Sequence, residues 1–408
     1  MFKSITLEKW QQFEEITINF HDQLTIITGA NGAGKTTILN ILAKHNSWRS
    51  NVYATPKLDA VTGVVRFFTR LFGGKAISDS NTIGTIGYVN GQNAILSIDN
   101  TEDATTNISI SNMQNVPCFY IPSHRSVYRY QKLRSIPTEK KMRNQAFNEV
   151  FNSTVSRYFD NHTQSVSYLM KNTLIGWLIN GYGVSNGIKQ VMPRDEEQIR
   201  NFEGFQDILR KVLPKTLGFQ EIEIRNSEIV FVCNDGKDEF LLETASGGIS
   251  SIIDLAWQIF MYSYGHDEFV VLIDEVENHL HPIMQRKILT DFISAFPKTC
   301  FIVSTHSPLV VSSVKESKIY ALSYNDKGKI VSKELDFTNN VSTANEILEN
   351  ILGLTTTLPV WAQEKLDEII NEFKSKYDEP DFIKEFSISL SNAGLSKFAP
   401  QAITGLLQ

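Results

Sequence analysis

Eight consecutive residues, Gly29-Ala30-Asn31-Gly32-Ala33-Gly34-Lys35-Thr36, follow the pattern G-x-x-x-x-G-K-[ST], whose chemistry is the cradling of phosphate. Glycines let a backbone curl until successive N–H groups face phosphate oxygens, and a helix N-terminus just beyond adds a favourable dipole. The candidate ligands of a nucleoside triphosphate are therefore Asn31, Gly32, Ala33, Gly34, Lys35, Thr36 and Thr37. Lys35 is expected to reach the β- and γ-phosphates, and the Thr36 hydroxyl to ligate Mg²⁺.

Three further groups could complete such a site. The apolar run Phe269-Val270-Val271-Leu272-Ile273 ends in Asp274-Glu275. Carboxylates at the C-terminal end of a buried parallel strand lie where ligands collect. Asp274 is placed to hold Mg²⁺, and Glu275 to act as the base that polarises an attacking water. A second apolar run, Thr299 to Ser304, leads through Thr305 to His306, one helix–strand unit after Asp274. His306 is expected on a neighbouring strand end, facing the γ-phosphate or the water. Finally, Ala245-Ser246-Gly247-Gly248 precedes an apolar helix expected over Ser251–Tyr262. Ser-Gly-Gly at a helix start reads as a helix cap or as a second anion site. One loop already serves a nucleotide in cis, so an anion site at Ser246 and Gly248 implies a phosphate held by a second copy.

Strands and helices have to set these groups. Leu24-Thr25-Ile26-Ile27 reads as a buried strand, and Thr37 to Ala43 as the helix after the loop. Residues 49–115 are rich in Ser, Thr, Asn and Gly, with short alternating runs that predict antiparallel strands, and Val116–Ile121 predicts another buried strand. Residues 138–212 are helical, broken by Gly181-Tyr182-Gly183-Val184-Ser185-Asn186-Gly187, and residues 219–243 return to strands. From 244 helix and strand alternate, as in a parallel sheet. The fold class expected is α/β: a head with a mixed, largely parallel sheet from 1–48 and 219–340, an antiparallel β lobe and basic turn over 49–137, an inserted helical domain over 138–218, and a C-terminal helical segment over 341–408. No internal repeat or sustained heptad run is present.

Bulk properties narrow the setting. With 408 residues, 42% hydrophobic and 21% charged, the chain has an ordinary globular composition. No apolar run reaches the roughly 18 residues of a membrane span. Met1-Phe2-Lys3-Ser4-Ile5 leads straight into strand-like sequence, so no signal peptide and a cytoplasmic location are expected. Cys118, Cys233 and Cys300 each lie in an apolar run without CxxC spacing, which favours buried thiols over a metal or disulfide framework. At a net charge of −6, any nucleic-acid contact has to be a local patch. One stretch invites that reading. Arg125, Arg129, Lys132, Arg134, Lys140, Lys141 and Arg143 face only Glu139 within 124–143, and Tyr128 and Tyr130 interleave with them. The alternatives are an ordinary basic surface, or an Arg125 that serves the nucleotide side from the Ser123-His124-Arg125-Ser126 turn.

The order phosphate loop, long insertion, Ser-Gly-Gly, Asp-Glu strand, histidine strand resembles ATP-binding-cassette ATPases, and more closely their soluble RecF-like and OLD-like branch. Val276-Glu277-Asn278-His279-Leu280-His281-Pro282 is similar to the H-L-H-P turn of that branch, and Thr305-His306-Ser307-Pro308 to its T-H-S-P element. The resemblance covers roughly 1–45 and 244–312. It implies that two heads sandwich two ATP molecules, and that His279 and His281 lie in the D-loop near the opposing subunit. Lys35, Thr36, Asp274, Glu275, Ser246, Gly248 and His306 take the roles argued above. Ala245 stands where transporter-type signatures have leucine. Gln131 is the candidate for the Q-loop glutamine, and no aromatic residue matches an adenine-stacking loop. The acids Asp367-Glu368 and Asp378-Glu379 read as solvated faces rather than a fused nuclease, so an effector is expected to be a separate protein. Stand-alone ATPases of this kind belong to bacterial anti-phage systems, the Septu type among them. The resemblance thus implies an ATP-hydrolysing dimeric switch for a nuclease or toxin, with an ATP-gated DNA-binding protein of RecF-like repair as the alternative.

Overall fold

The apolar run before the phosphate loop forms the strand Leu24–Gly29, buried at all six positions. A strand that is apolar on both faces belongs inside a covered parallel sheet. In the computed structural model it lies fourth of six, in the order Cys118–Ile121, Phe269–Ile273, Thr299–Ser304, Leu24–Gly29, Lys318–Tyr324, Ile330–Leu335. The first five run parallel, and the last returns antiparallel. The carboxylate strand is therefore not a neighbour of the phosphate-loop strand; the histidine strand lies between them.

The structure describes residues 1–8, 10–48, 52–53, 55–58, 65–68, 82–98, 105–125, 128–133, 135–159, 164–335, 360–374 and 381–406. They divide into two compact units, Met1–Ala344 and Asn345–Gln408. In the first, a five-stranded antiparallel sheet runs Ile108–Ser111, Asn93–Ile98, Thr82–Tyr88, Phe2–Glu8, Glu15–Asn19. Thr82–Tyr88 pairs directly with Phe2–Glu8, with Ile5 opposite Ile86. Pairing therefore crosses the boundary drawn at 48/49, and Cys118–Ile121, assigned to the lobe, lies in the head sheet. Composition along the chain does not show a strand's partner, which is set by burial at long range. Both sheets share one apolar core with the helix Lys35–Ala43, including Ile5, Leu7, Phe13, Ile38, Leu42, Leu272 and Ile302. Much of the lobe over 49–81 falls outside the described residues.

The insertion holds the helices Arg143–Phe159, Val166–Tyr182 and Glu196–Val212. The glycine-rich break is a hairpin, Val184–Ser185 against Gln190–Met192. Asp195 caps the third helix by accepting from the Glu197 and Gln198 amides. A three-stranded antiparallel sheet, Phe219–Arg225, Glu228–Cys233 and Asp238–Leu241, leads into the signature helix. That helix spans Gly247–Tyr262, four residues earlier than glycine propensity suggests. Burial of Ile249, Ile252, Ile253 and Ala256 overrides the cost of the two glycines.

The second unit has the helices Val360–Lys374, Phe382–Asn392 and Ala399–Leu406 around Leu366, Ile369, Phe373, Phe386 and Leu390. Asp367 and Glu368 are exposed on the first of them; Asp378-Glu379 and 341–359 lie outside the described residues. The three cysteines are buried free thiols. Among the described residues, no helix is long and apolar enough to cross a membrane.

Candidate nucleotide site

The phosphate loop joins its strand to its helix through backbone conformations that side chains disfavour. Gly29 has φ +135°, and a Cβ there would lie 2.1 Å from the Leu322 carbonyl oxygen. Gly34 has φ +84°, and a Cβ there would lie 2.3 Å from Phe13 Cζ. Both positions require glycine, one because the next strand runs alongside and one because a buried ring supports the loop. Asn31, Gly32 and Thr36 are exposed and Thr37 is half-buried, while Ala33 and Lys35 are buried.

Lys35 is only 5% exposed. Its ammonium donates to the Gly29 and Ala30 carbonyls at 2.9 Å each and stands 3.4 Å from His306 Nδ1. Burial lowers its pKa to about 8, against the pull of Asp274, Glu275 and Glu277. Burial, with Lys35 alongside, lowers the His306 pKa and so favours the neutral ring.

Asp274 leaves the end of its strand buried among three hydroxyl donors. Thr36 Oγ1 donates to Oδ2 at 2.9 Å, Tyr120 donates to the same oxygen at 3.3 Å, and Ser304 donates to Oδ1. Tyr120 and Ser304 come from the strands on either side, so the sheet order places the carboxylate opposite the loop. A hydroxyl and a carboxylate oxygen this close form a donor set of the hard kind Mg²⁺ prefers, with phosphate and water oxygens expected to complete it.

Glu275 follows with φ +46°, the left-handed region that a side chain enters at a cost. Its amide donates to Ser304 Oγ at 2.8 Å, and its carboxylate accepts from Asn278 Nδ2 at 2.8 Å. Its Oε1 lies 3.8 Å from His306 Nε2. Glu277 in turn supports the histidine strand end, accepting from the His306 amide at 2.5 Å and from Thr305 Oγ1 at 2.8 Å. Lys35, Thr36, Asp274, Glu275 and His306 thus form one cluster.

The comparisons can be set beside this geometry. Residues 4–43 match a family model described as an AAA domain. Residues 103–312, just over half of the chain, match one described as "AAA domain, putative AbiEii toxin, Type IV TA system". The chain belongs to this AAA-domain family. A Septu protein PtuA of Bacillus thuringiensis is 24% identical over 95% of this chain and 91% of its own length. A retron Vc95 probable ATPase of Vibrio cholerae serotype O1 biovar El Tor is 29% identical over 44% of this chain, and the match spans about a third (34%) of that protein. An SMC head domain from Thermotoga maritima aligns with 82% of this chain and 99% of its own length, at a TM-score of 0.44 and 15% identity.

Ser246 and Gly248 of this AAA-domain chain stand at the start of the helix Gly247–Tyr262. Ser246 is exposed and makes no side-chain capping bond. Gly248 packs on the turn after the carboxylates, where a Cβ would meet the His279 carbonyl at 3.1 Å. His279 and His281 are exposed, and His281 Nδ1 accepts from the Ile283 amide.

One expectation needs correction. Gln131 does not reach the nucleotide cluster: its amide oxygen accepts from the Ser165 amide at 3.3 Å and the Ser165 hydroxyl at 3.1 Å, at the start of an inserted helix. Several cations of the basic segment are engaged within the fold. Lys140 pairs with Asp195 and Glu197, and Lys141 with Glu149. Arg143 lies over the Phe260 ring at 3.8 Å and donates to Ser263. Tyr128 is buried, and the Tyr130 hydroxyl donates to Glu228 at 3.0 Å. Arg129 and Lys132 are exposed. Ser126 and Arg134 lie outside the described residues.

Arg125, which the sequence offers as a basic surface or as a nucleotide-side residue, has partners that only the fold reveals. It follows the strand beside the carboxylate strand, and its guanidinium donates to the backbone oxygens of Glu275 at 3.2 Å and of Val276 and Asn278 at 3.5 Å. It also donates to Ser251 on the signature helix. Burial lowers its pKa to about 10, so it stays charged at pH 7. One side chain therefore ties the strained carboxylate turn to the signature helix. Phe13, Gln12 and Tyr324 were missed. The Tyr324 hydroxyl lies 3.1 Å from the Gly32 carbonyl and 3.1 Å from Gln12 Oε1, and no local pattern links these residues to the loop.

Proposed function

We propose that this chain binds and hydrolyses ATP, and that two copies share the nucleotide as a switch on a separately encoded effector, a nuclease or toxin, in bacterial anti-phage defence. The observation that carries the ATP reading is the single cluster of Lys35, Thr36, Asp274, Glu275 and His306 around the glycine loop. In this reading the loop amides and Lys35 hold the phosphates. Thr36 and Asp274 hold Mg²⁺, which when bound supplies charge neutralisation at the phosphates. Glu275, aimed by Asn278 and its strained backbone, takes a proton from the attacking water, and His306 contacts the γ-phosphate.

The exposure of Ser246 supports a site completed by a second copy. Likeness to a Septu protein over nearly the whole chain, and to retron ATPases over part of it, supports the defence setting and the separate effector. An ATP-gated DNA-binding protein of RecF-like repair has less support, because Lys140, Lys141, Arg143 and Arg125 are engaged within the fold.

The decisive experiment is Glu275→Gln. Phosphate release is expected to fall about 10²-fold or more, with ATP retained and a larger assembly seen by light scattering on ATP addition. Wild-type turnover in this variant would overturn the base assignment. Loss of phage protection by Lys35→Ala, with the neighbouring genes present, tests the defence role.

A further inference from the structure

Lys171 lies in the middle of the helix Val166–Tyr182, and its side chain is fully buried. Its ammonium is 2.5 Å from Glu228 Oε2 and 2.6 Å from Glu243 Oε1, and it donates to the Gln131 carbonyl at 3.2 Å. The Tyr130 ring covers it at 4.9 Å, and the Tyr130 hydroxyl holds the other oxygen of Glu228. The Glu243 side chain is 2% exposed. One cation thus joins three separate pieces of chain: an inserted helix, the strand Glu228–Cys233 and the turn Leu242–Thr244.

Burying a lysine between two carboxylates is a costly way to fill space, and apolar side chains of similar size pack at least as well. What the ion cluster adds is direction, since it holds the three pieces at one point and in one register. The turn it holds matters because Ser246 is three residues beyond Glu243, at most about 11 Å along the chain. Ser246 makes no side-chain capping bond to fix it. Its place is set from two sides: by Glu243 before it, and by the packing of Gly248 on His279 and Met284 after it.

We propose that Lys171 is a positioning residue for Ser246 and Gly248, clamping the signature turn to the inserted helices so that movement of those helices alters how the signature meets a triphosphate held by a second copy. The proposal rests on the shared-nucleotide reading above. It makes the insertion the input of the switch: a partner protein that shifts Val166–Tyr182 changes assembly and turnover without touching the nucleotide.

The test uses the full chain. Lys171→Met, Lys171→Arg and the triple variant Lys171→Met/Glu228→Gln/Glu243→Gln are compared for binding of a fluorescent ATP analogue, for turnover, and, in the Glu275→Gln background, for ATP-driven association. Lys171→Met is expected to keep nucleotide affinity within twofold while turnover and association each fall at least tenfold. Lys171→Arg restores at least half of both. The triple variant removes the uncompensated buried charges, so it folds even where Lys171→Met does not, and it remains uncoupled. A folded triple variant with wild-type association and turnover would overturn the proposal, as would loss of nucleotide affinity in step with turnover. If Glu275→Gln with Lys171 intact binds ATP but never associates, the shared-site reading fails first, and the clamp with it.

Discussion

Thr36 Oγ1 and Asp274 Oδ2 are 2.9 Å apart, although 238 positions separate them in the chain. The contact exists because the histidine strand Thr299–Ser304 spaces the two strands and supplies Ser304 to hold the other Asp274 oxygen. A hydroxyl and a carboxylate in this relation favour a divalent cation between them and a phosphate.

Thr36→Val keeps the volume and removes the donor. The gain in ATP affinity that Mg²⁺ confers is expected to fall at least tenfold, about 1.4 kcal/mol, while affinity without Mg²⁺ changes little. Calorimetry with and without the cation measures the difference. Tyr120 and Ser304 still donate to Asp274, so unfolding free energy should drop by only about 1 kcal/mol.

The pKa of Lys35 makes binding depend on pH in a definite direction. In the free protein it is lowered from 10.5 to about 8, and a bound triphosphate raises it. Binding therefore takes up a proton, about half of one at pH 8, and affinity weakens as pH rises above about 8. Calorimetry in buffers of different ionisation enthalpy reads the uptake. For folding the sign is opposite: between about 8 and 10.5 the unfolded chain holds more protons, so this group's contribution to stability rises with pH.

Arg125→Lys retains charge but cannot fork across three carbonyls. Turnover is expected to fall about 10²-fold, the scale of a displaced general base, with nucleotide affinity within threefold. Arg125→Ala leaves the Glu275, Val276 and Asn278 carbonyls short of a donor and should lower thermal stability as well. Single-turnover assays and thermal unfolding separate the two effects. Unchanged turnover in both variants would show that the Glu275 turn holds its place without Arg125.

The engaged state of the basic segment predicts weak, shallow DNA binding. If all seven cations met phosphate, the logarithm of affinity would fall with that of salt with a slope of about −6. Arg129 and Lys132, exposed among the described residues, contribute about −2 of this. Fluorescence anisotropy on duplex DNA across a salt series decides, and Arg129→Ala/Lys132→Ala should weaken what binding there is and make its salt slope shallower by about 2.

Much of the nucleotide site could be read locally. Gly29–Thr36, Asp274-Glu275 and His306 each sit where a buried run ends, and the structure gathers them. The Q-loop expectation at Gln131 rested on nothing beyond residue type after a strand, and the fold uses that side chain to hold Ser165. The basic stretch misled because charge along a sequence does not show which carboxylates will pack against it; Asp195, Glu197 and Glu149 do.

By itself the sequence determined the phosphate loop, its strand and its helix, because those residues are contiguous and their geometry follows from glycine, lysine and apolar runs. It also determined that carboxylates and a histidine end buried strands. Tertiary structure alone decided that the histidine strand separates the other two, that Arg125 braces the Glu275 turn, that Phe13 supports the loop, and that Lys171 reaches the turn before Ser246. These relations join residues tens to hundreds of positions apart, and they are settled by which apolar faces bury together and which buried charges then find partners.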